Sequence, residues 1–319
     1  MKALFACGLL LFQAVSGFGE EPLVAPLGEP FVAAQAQLVW AVPADSLPKT
    51  LRIYRVVPSR FSPATVAFLL DTAQFTETNR AKPLGGGVFM GQGVRYYRSR
   101  DQSKYLGLVP AQGWLLYQDP RAVAAPSERA QGVPTEAQLV GLALQVISHL
   151  GIHPSELARQ PGGTNLQLTY GKRERTHYDP ATHQAVTEVV ARQIFLRRQR
   201  AGIDFRGPGH AGGVWLGFGN QGRICELEMV WRELEPVKAG AVASPEELLR
   251  RLESGQGSLV AGEALAGQKL TVTKVTPYYF EQAGNVPQAM VYPYALIEAS
   301  AGAGTNPPVR LVCPLLKEE

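Results

Sequence analysis

Residues 225–232 alternate between apolar and charged side chains almost without exception, which requires an extended strand with only one face buried. The apolar members are Cys225, Leu227, Met229 and Trp231, and the charged members are Glu226, Glu228 and Arg232. Successive side chains of a strand point to opposite faces of its sheet, so the two sets separate. This pattern predicts a half-buried strand in an antiparallel sheet.

Further strand patterns lie on both sides of this one. Residues 189–196 carry apolar side chains on both faces, which predicts an interior strand. A glycine-rich break at 202–213 separates it from a strand at 214–218, and residues 219–222 supply a turn because Gly and Asn tolerate a positive φ. Other strands are predicted at 51–57, 88–97, 105–109, 114–117 and 166–170.

Three helices are predicted from their first residues. Ser62 precedes Pro63, and Ser244 precedes Pro245, which places a capping side chain just before a proline in the first helical turn. Thr135 can cap a third helix, with a glutamine three residues later to complete a capping box. Each start is followed by apolar residues at helical spacing.

These elements predict an α+β fold, with antiparallel sheets and helices packed on one face. A helix followed by strands occurs twice, which suggests a degenerate tandem repeat. Residues 119–134 hold three prolines and several small residues, so they are predicted to be a linker. We expect a signal peptide at 1–19, an N-terminal α+β module at 20–118 and a C-terminal α+β module at 135–319.

The N-terminal sequence predicts the compartment of the protein, and the net charge bears on its class of partner. Lys2 is followed by an apolar run that is too short to cross a bilayer, and small residues follow it, as in a secretory signal peptide. We therefore expect a secreted or periplasmic protein with no membrane span after signal removal. The net charge of +4 over 319 residues is mild and does not indicate a nucleic-acid partner.

Two cysteines remain after signal removal, Cys225 and Cys313. In an oxidising compartment they could form a disulfide. Both lie on apolar strand faces, so they could equally be two buried free thiols that behave as small hydrophobic residues. Sequence spacing cannot decide, because a disulfide requires the two Cα atoms to be close.

Chemical motifs are weak throughout the chain. His177, Asp179 and His183 could form a metal site, but no further ligand is identifiable nearby. The paired carboxylates Glu226 and Glu228 share a strand face and fit a solvated face better than a glycosidase pair. The chain contains no Gly-x-Ser-x-Gly elbow, and its one dinucleotide-like glycine pattern precedes a strand. We predict no catalytic residue, no cofactor and no metal.

The most notable basic cluster is Arg197, Arg198 and Arg200, at the end of the strand predicted for 189–196. Neighbouring residues of a strand alternate between faces, so the three arginines do not form one patch. They could be a solvated strand end, or they could contact an acidic partner. We retain them as candidate partner contacts.

One order of motifs carries a resemblance to a known family. The motifs are RQIF at 192–195, GI at 202–203, GPG at 207–209, VWLGF at 214–218, GRI at 222–224 and VWR at 230–232, followed by apolar runs at 275–280 and 292–297. This order resembles the PepSY-like repeat of secreted bacterial proteins and the YycI-type extracytoplasmic regulators. The resemblance covers roughly residues 135–300.

The resemblance implies a function without catalysis. Such proteins inhibit or chaperone peptidases, or hold partner proteins at the envelope. We therefore expect a secreted, non-enzymatic binding or regulatory protein whose partner is another secreted or envelope protein, for example a peptidase. Two alternatives stay open: an envelope hydrolase with a scattered site, and a structural component of the envelope.

Overall fold

A computed structural model describes residues 29–30, 36–43, 46–75, 94–179, 183–262, 267–300 and 308–317. The predicted signal peptide at 1–19 lies outside these ranges. No helix within them is both long and apolar enough to cross a membrane.

The described chain forms three helices and eighteen strands. The helices are α1 (Pro63–Thr72), α2 (Glu136–His149) and α3 (Pro245–Glu253). The strands are β1 (Glu29–Pro30), β2 (Ala36–Trp40), β3 (Thr50–Val57), β4 (Arg95–Arg98), β5 (Tyr105–Val109), β6 (Trp114–Gln118), β7 (Leu168–Asp179), β8 (Gln184–Arg197), β9 (Gln199–Arg200), β10 (Ile203–Arg206), β11 (Gly213–Phe218), β12 (Ile224–Val230), β13 (Glu233–Ala241), β14 (Ser258–Ala261), β15 (Gln268–Phe280), β16 (Met290–Val291), β17 (Pro293–Ser300) and β18 (Val309–Pro314).

Three sheets organise these strands. A seven-stranded antiparallel sheet has the order β4-β5-β6-β12-β11-β8-β7. An eight-stranded sheet has the order β1-β14-β18-β17-β15-β10-β9, with β2 also paired to β15. It is mixed, because β15 runs parallel to both β2 and β10. A third sheet has the order β13-β3-β16.

All three sheets take strands from both sides of residues 119–134. Strands of the two predicted modules therefore pair within the same sheets, and residues 119–134 are mostly exposed but anchored by buried residues such as Asp119, Ala122 and Ala124. Asp119 is 1% exposed, and its carboxylate pairs with Arg223 at 3.0 Å and with Lys104 at 3.5 Å. Arg175 of β7 donates to the carbonyl oxygens of Ala124 and Ala125.

The predicted helix starts are confirmed. The Ser62 Oγ accepts a hydrogen bond from the Thr65 amide at 3.0 Å, and the Ser244 Oγ accepts one from the Glu247 amide at 3.3 Å. At the start of α2 the Thr135 amide donates to the Gln138 side chain. Residues of α1 and α2 belong to the same buried apolar cluster as residues of the seven-stranded sheet, and residues of α3 belong to a second cluster with residues of the eight-stranded sheet.

The predicted fold class is wrong. Over the described residues the structure is 48% strand and 19% helix, with large curled sheets, so it is β-rich rather than α+β with helices packed on a sheet face. The prediction missed most of β7 and all of β13. Both strands are rich in charged or small side chains that are exposed on both faces, so neither shows the alternation by which a half-buried strand is recognised.

Candidate binding cleft

A cleft with a volume of about 490 Å³ opens between the start of α1, the end of α2 and the junction of β8 with β9. Six apolar side chains line it: Phe61, Leu150, Ile152, Met229, Trp231 and Leu234. The polar lining comprises the hydroxyls of Ser59, Ser62 and Thr65, and the charged groups of Arg60, Glu156, Arg198, Arg200, Arg232 and Glu233. Volumes of this size are typical of ligand sites.

Hydrogen bonds between distant segments hold the cleft walls in place. The buried Thr65 hydroxyl donates to the carbonyl oxygen of His149 at 3.1 Å, which joins the start of α1 to the end of α2. The Ser59 amide donates to the carbonyl oxygen of Pro110, and the Glu233 amide donates to the Ser59 hydroxyl at 3.1 Å. The wall formed by residues 59–65 is therefore hydrogen-bonded to the end of α2, to Pro110 and to the start of β13.

The structure separates the three arginines that the sequence analysis grouped. Arg198 and Arg200 lie on one side of the strand end and line the cleft, whereas Arg197 does not line it. The Arg197 guanidinium lies 5.3 Å from the ring centroid of Phe195 instead. The expected alternation of faces thus brings two of the three arginines together.

Arg198 is held in a fixed position and is 3% exposed. Its Nη1 donates to the carbonyl oxygen of Arg232 at 2.7 Å. The rings of Phe205 and Trp231 lie on the guanidinium, with each centroid 4.8 Å from Cζ. Burial lowers the pKa of Arg198, and the nearby carboxylates of Glu281 and Glu156 partly offset this effect.

Arg200 repeats this arrangement two residues later. Its Nη1 donates to the carbonyl oxygen of Leu234 at 3.2 Å, and its guanidinium lies 4.9 Å from the ring centroid of Tyr54. Aromatic rings hold a guanidinium in place without using its in-plane N–H groups. Both side chains therefore keep donors that can serve a ligand.

Trp231 and Glu156 also line the cleft. Trp231, expected on the buried face of its strand, lies just beyond β12 and is half-buried. Its indole N–H donates to Glu156 Oε2 at 3.2 Å. Sequence reasoning missed Glu156 and the hydroxyls of Ser59 and Thr65, because no local motif links these separate segments.

The carboxylates of Glu226 and Glu228 lie outside the cleft, and each has its own partners. Glu228 contacts His210 Nδ1 at 2.7 Å and accepts the Trp114 indole N–H at 3.3 Å. Glu226 lies 3.6 Å from a guanidinium nitrogen of Arg173. Glu226 and Glu228 therefore lie on a sheet face on which each carboxylate has its own polar partners.

His177, Asp179 and His183 lie near the far end of the β7–β8 hairpin. The His177 ring is 3.9 Å from the Glu188 carboxylate, and His183 Nδ1 contacts the Tyr178 hydroxyl at 2.9 Å. The described residues contain no group of three or more His, Cys, Asp or Glu side chains with the geometry to hold a metal ion.

Cys225 and Cys313 are free and buried in the structure. Cys225 is on β12 of the seven-stranded sheet, whereas Cys313 is on β18 of the eight-stranded sheet. They belong to separate apolar clusters. Burial raises the pKa of each thiol to about 12.

This burial predicts slow thiol chemistry in the folded protein. In a chain with Cys7→Ser, we expect a disulfide-reactive chromogenic reagent at pH 8 to label neither remaining cysteine rapidly, because the thiolate is the reacting form. In denaturant both cysteines should react. One disulfide and no reactive thiol after unfolding would contradict the structure.

The same shift predicts how stability depends on pH. The unfolded thiols ionise near their ordinary pKa of 9, before the folded ones. The contribution of the buried thiols is therefore fully present below pH 9 and is lost as the pH rises from 9 towards 12. Urea midpoints measured between pH 9 and pH 12 check this prediction. The Cys7→Ser chain should lose more stability over this range than the same chain with Cys225→Ala and Cys313→Ala.

Comparisons with known proteins identify no family. No family model matches the chain, and no curated protein matches it. Among solved structures, an uncharacterized protein from Eubacterium rectale ATCC 33656 is similar over 89% of this chain and 91% of its own, with 9% identity and a TM-score of 0.44. A likeness this distant carries no argument about function, and the PepSY-like resemblance stays a prediction.

Proposed function

We propose that this chain is a non-enzymatic binding protein of the bacterial envelope that captures another secreted or envelope protein. A peptidase is the partner class that the PepSY-like resemblance suggests. The observation that carries the proposal is the cleft, in which Arg198 and Arg200 lie beside six apolar side chains. Aromatic and arginine side chains are among the groups that most often dominate the binding energy at protein interfaces.

Affinity capture from the extracytoplasmic fraction of the source bacterium tests this proposal. The mature chain is compared with the double variant Arg60→Gln/Arg200→Gln, which removes two accessible charges of the cleft. Arg197→Gln is the matched control, because Arg197 neighbours the cleft arginines in sequence but does not line the cleft. We expect one partner to be captured by the wild type and the control, and its capture to fall about tenfold or more with the double variant.

Two results would contradict the proposal. One is the recovery of no partner by the wild type at any salt concentration used. The other is equal capture by the wild type and the double variant when circular dichroism shows that both are folded.

A further inference from the structure

The buried arginines of the described chain differ in how their charge is neutralised. Arg198, Arg232 and Arg251 are each at most 3% exposed. Arg232 pairs with Glu281 at 3.4 Å, and Arg251 pairs with Glu247 at 3.0 Å. Arg198 is the only one of these three that forms no ion pair with a described carboxylate. A buried charge is normally paired, because desolvation without a partner costs several kcal/mol.

The unused donors of Arg198 lie along one edge of its guanidinium. Nη1 is occupied by the carbonyl oxygen of Arg232. Nε is buried and has no hydrogen-bond partner, which is also true of Nε in Arg232 and Arg251, so the feature that sets Arg198 apart is the lack of an ion pair. Nε–H and Nη2–H point in the same direction, and together they match the two oxygens of a carboxylate.

The charge of the cleft also favours an anion. Four arginines line the cleft (Arg60, Arg198, Arg200 and Arg232), and they are opposed by the lining carboxylates of Glu156 and Glu233 and by the buried Glu281, which pairs with Arg232 and also acts on Arg198. One of these carboxylates, Glu156, already accepts the indole N–H of Trp231. An entering carboxylate would meet more unpaired positive than negative charge.

We propose that the cleft binds an acidic side chain of a partner protein, with its carboxylate on the Nε/Nη2 edge of Arg198 and a neighbouring apolar residue against the apolar wall. This assignment rests on the proposed function and specifies the chemistry of its ligand. Because Nε is buried, the carboxylate must be on a side chain that enters the cleft. The apolar lining favours a peptide over a free inorganic anion, since it can bury an apolar side chain next to the charge.

A pair of blocked peptides tests the assignment directly. The probes are N-acetyl-Leu-Glu-Leu-amide and N-acetyl-Leu-Gln-Leu-amide, which differ only in the carboxylate. Nuclear magnetic resonance of the mature chain with ¹⁵N-labelled arginine follows the Nε–H signals, and the Arg198 signal is assigned by its loss in Arg198→Lys. We expect the Glu peptide to shift this signal saturably, with roughly millimolar affinity for so short a peptide. The Gln peptide should leave it unchanged.

Two variants keep the test valid if Arg198→Lys fails to fold. Arg60→Gln and Arg200→Gln change more accessible side chains, and each should weaken binding of the Glu peptide, Arg200→Gln by about tenfold or more. Raising the salt concentration should weaken it further. Equal binding of the two peptides, or binding of neither, would overturn the assignment. A shift caused by inorganic phosphate but not by the Glu peptide would also overturn it.

The outcomes separate this assignment from the proposed function. If the Glu peptide fails but Arg60→Gln/Arg200→Gln still reduces capture of the partner, the cleft is a binding surface and the carboxylate chemistry is wrong. If the Glu peptide binds but capture does not depend on the cleft, the anion site stands and the partner binds elsewhere.

Discussion

Replacing Arg232 with methionine is expected to lower the free energy of unfolding by about 3–5 kcal/mol, because it leaves the fully buried Glu281 carboxylate without its cation. The arginine also donates to the carbonyl oxygens of Gln282, Ala283 and Val286, at 2.8, 3.0 and 3.0 Å. It thereby attaches the 281–286 loop to the end of β12. Urea denaturation followed by tryptophan fluorescence measures the change.

A double-mutant cycle assigns this cost to the ion pair. Arg232→Met/Glu281→Leu removes both charges, and we expect it to recover part of the loss, since the buried carboxylate is then absent. Lys172→Met is the control for an exposed ion pair, with Lys172 and Glu174 joined at 2.8 Å. It should leave the urea midpoint unchanged. An effect of Arg232→Met no larger than that of Lys172→Met would refute a stabilising role for the buried pair.

Gly113→Ala is expected to destabilise the fold by about 3 kcal/mol, more than a left-handed backbone alone would explain. Gly113 has a φ of +57° and ends the turn before β6. A Cβ atom there would lie 2.4 Å from the carbonyl oxygen of Trp231 and 2.7 Å from the Cα of Arg232. The backbone must therefore move at the edge of the cleft.

Gly202→Ala separates the clash from the backbone strain. Gly202 has a φ of +77°, but no atom lies within 4 Å of its Cβ position. We expect it to cost only about 1–2 kcal/mol, the penalty of the left-handed conformation. Equal urea midpoints for the two variants would show that the close approach of Gly113 to residues 231–232 does not occur.

Local patterns predicted the parts of the fold that depend on neighbours in sequence. The alternation at 225–232 correctly predicted β12 and the burial of Cys225, Leu227 and Met229, which are all at most 5% exposed. It failed at the end of the strand, where Trp231 is only half-buried and Arg232 is fully buried. The capping residues Ser62 and Ser244 correctly predicted where α1 and α3 begin. Capping and alternation involve residues only two or three positions apart, so the sequence records them directly.

Strands without a buried face could not be predicted from side-chain alternation. β13 is mostly exposed and is paired with β3, whose residues lie 176 to 191 positions earlier in the chain. Its extended conformation is held by backbone hydrogen bonds to β3. These bonds leave no periodic pattern of apolar side chains in the sequence of β13. The balance of strand over helix, and hence the fold class, depended on such strands.

Some features of the candidate site were also predicted from sequence, whereas others depend on tertiary packing. The sequence alone singled out Arg197, Arg198 and Arg200 as a basic cluster at a strand end and predicted that neighbouring members lie on opposite faces. Only the tertiary structure buried Arg198 between Phe205 and Trp231, and only it brought the start of α1 to the end of α2 through the Thr65–His149 hydrogen bond, 84 positions apart. The cleft consists of contacts between segments far apart in the chain, and these arise from the packing of whole sheets and helices rather than from any local preference.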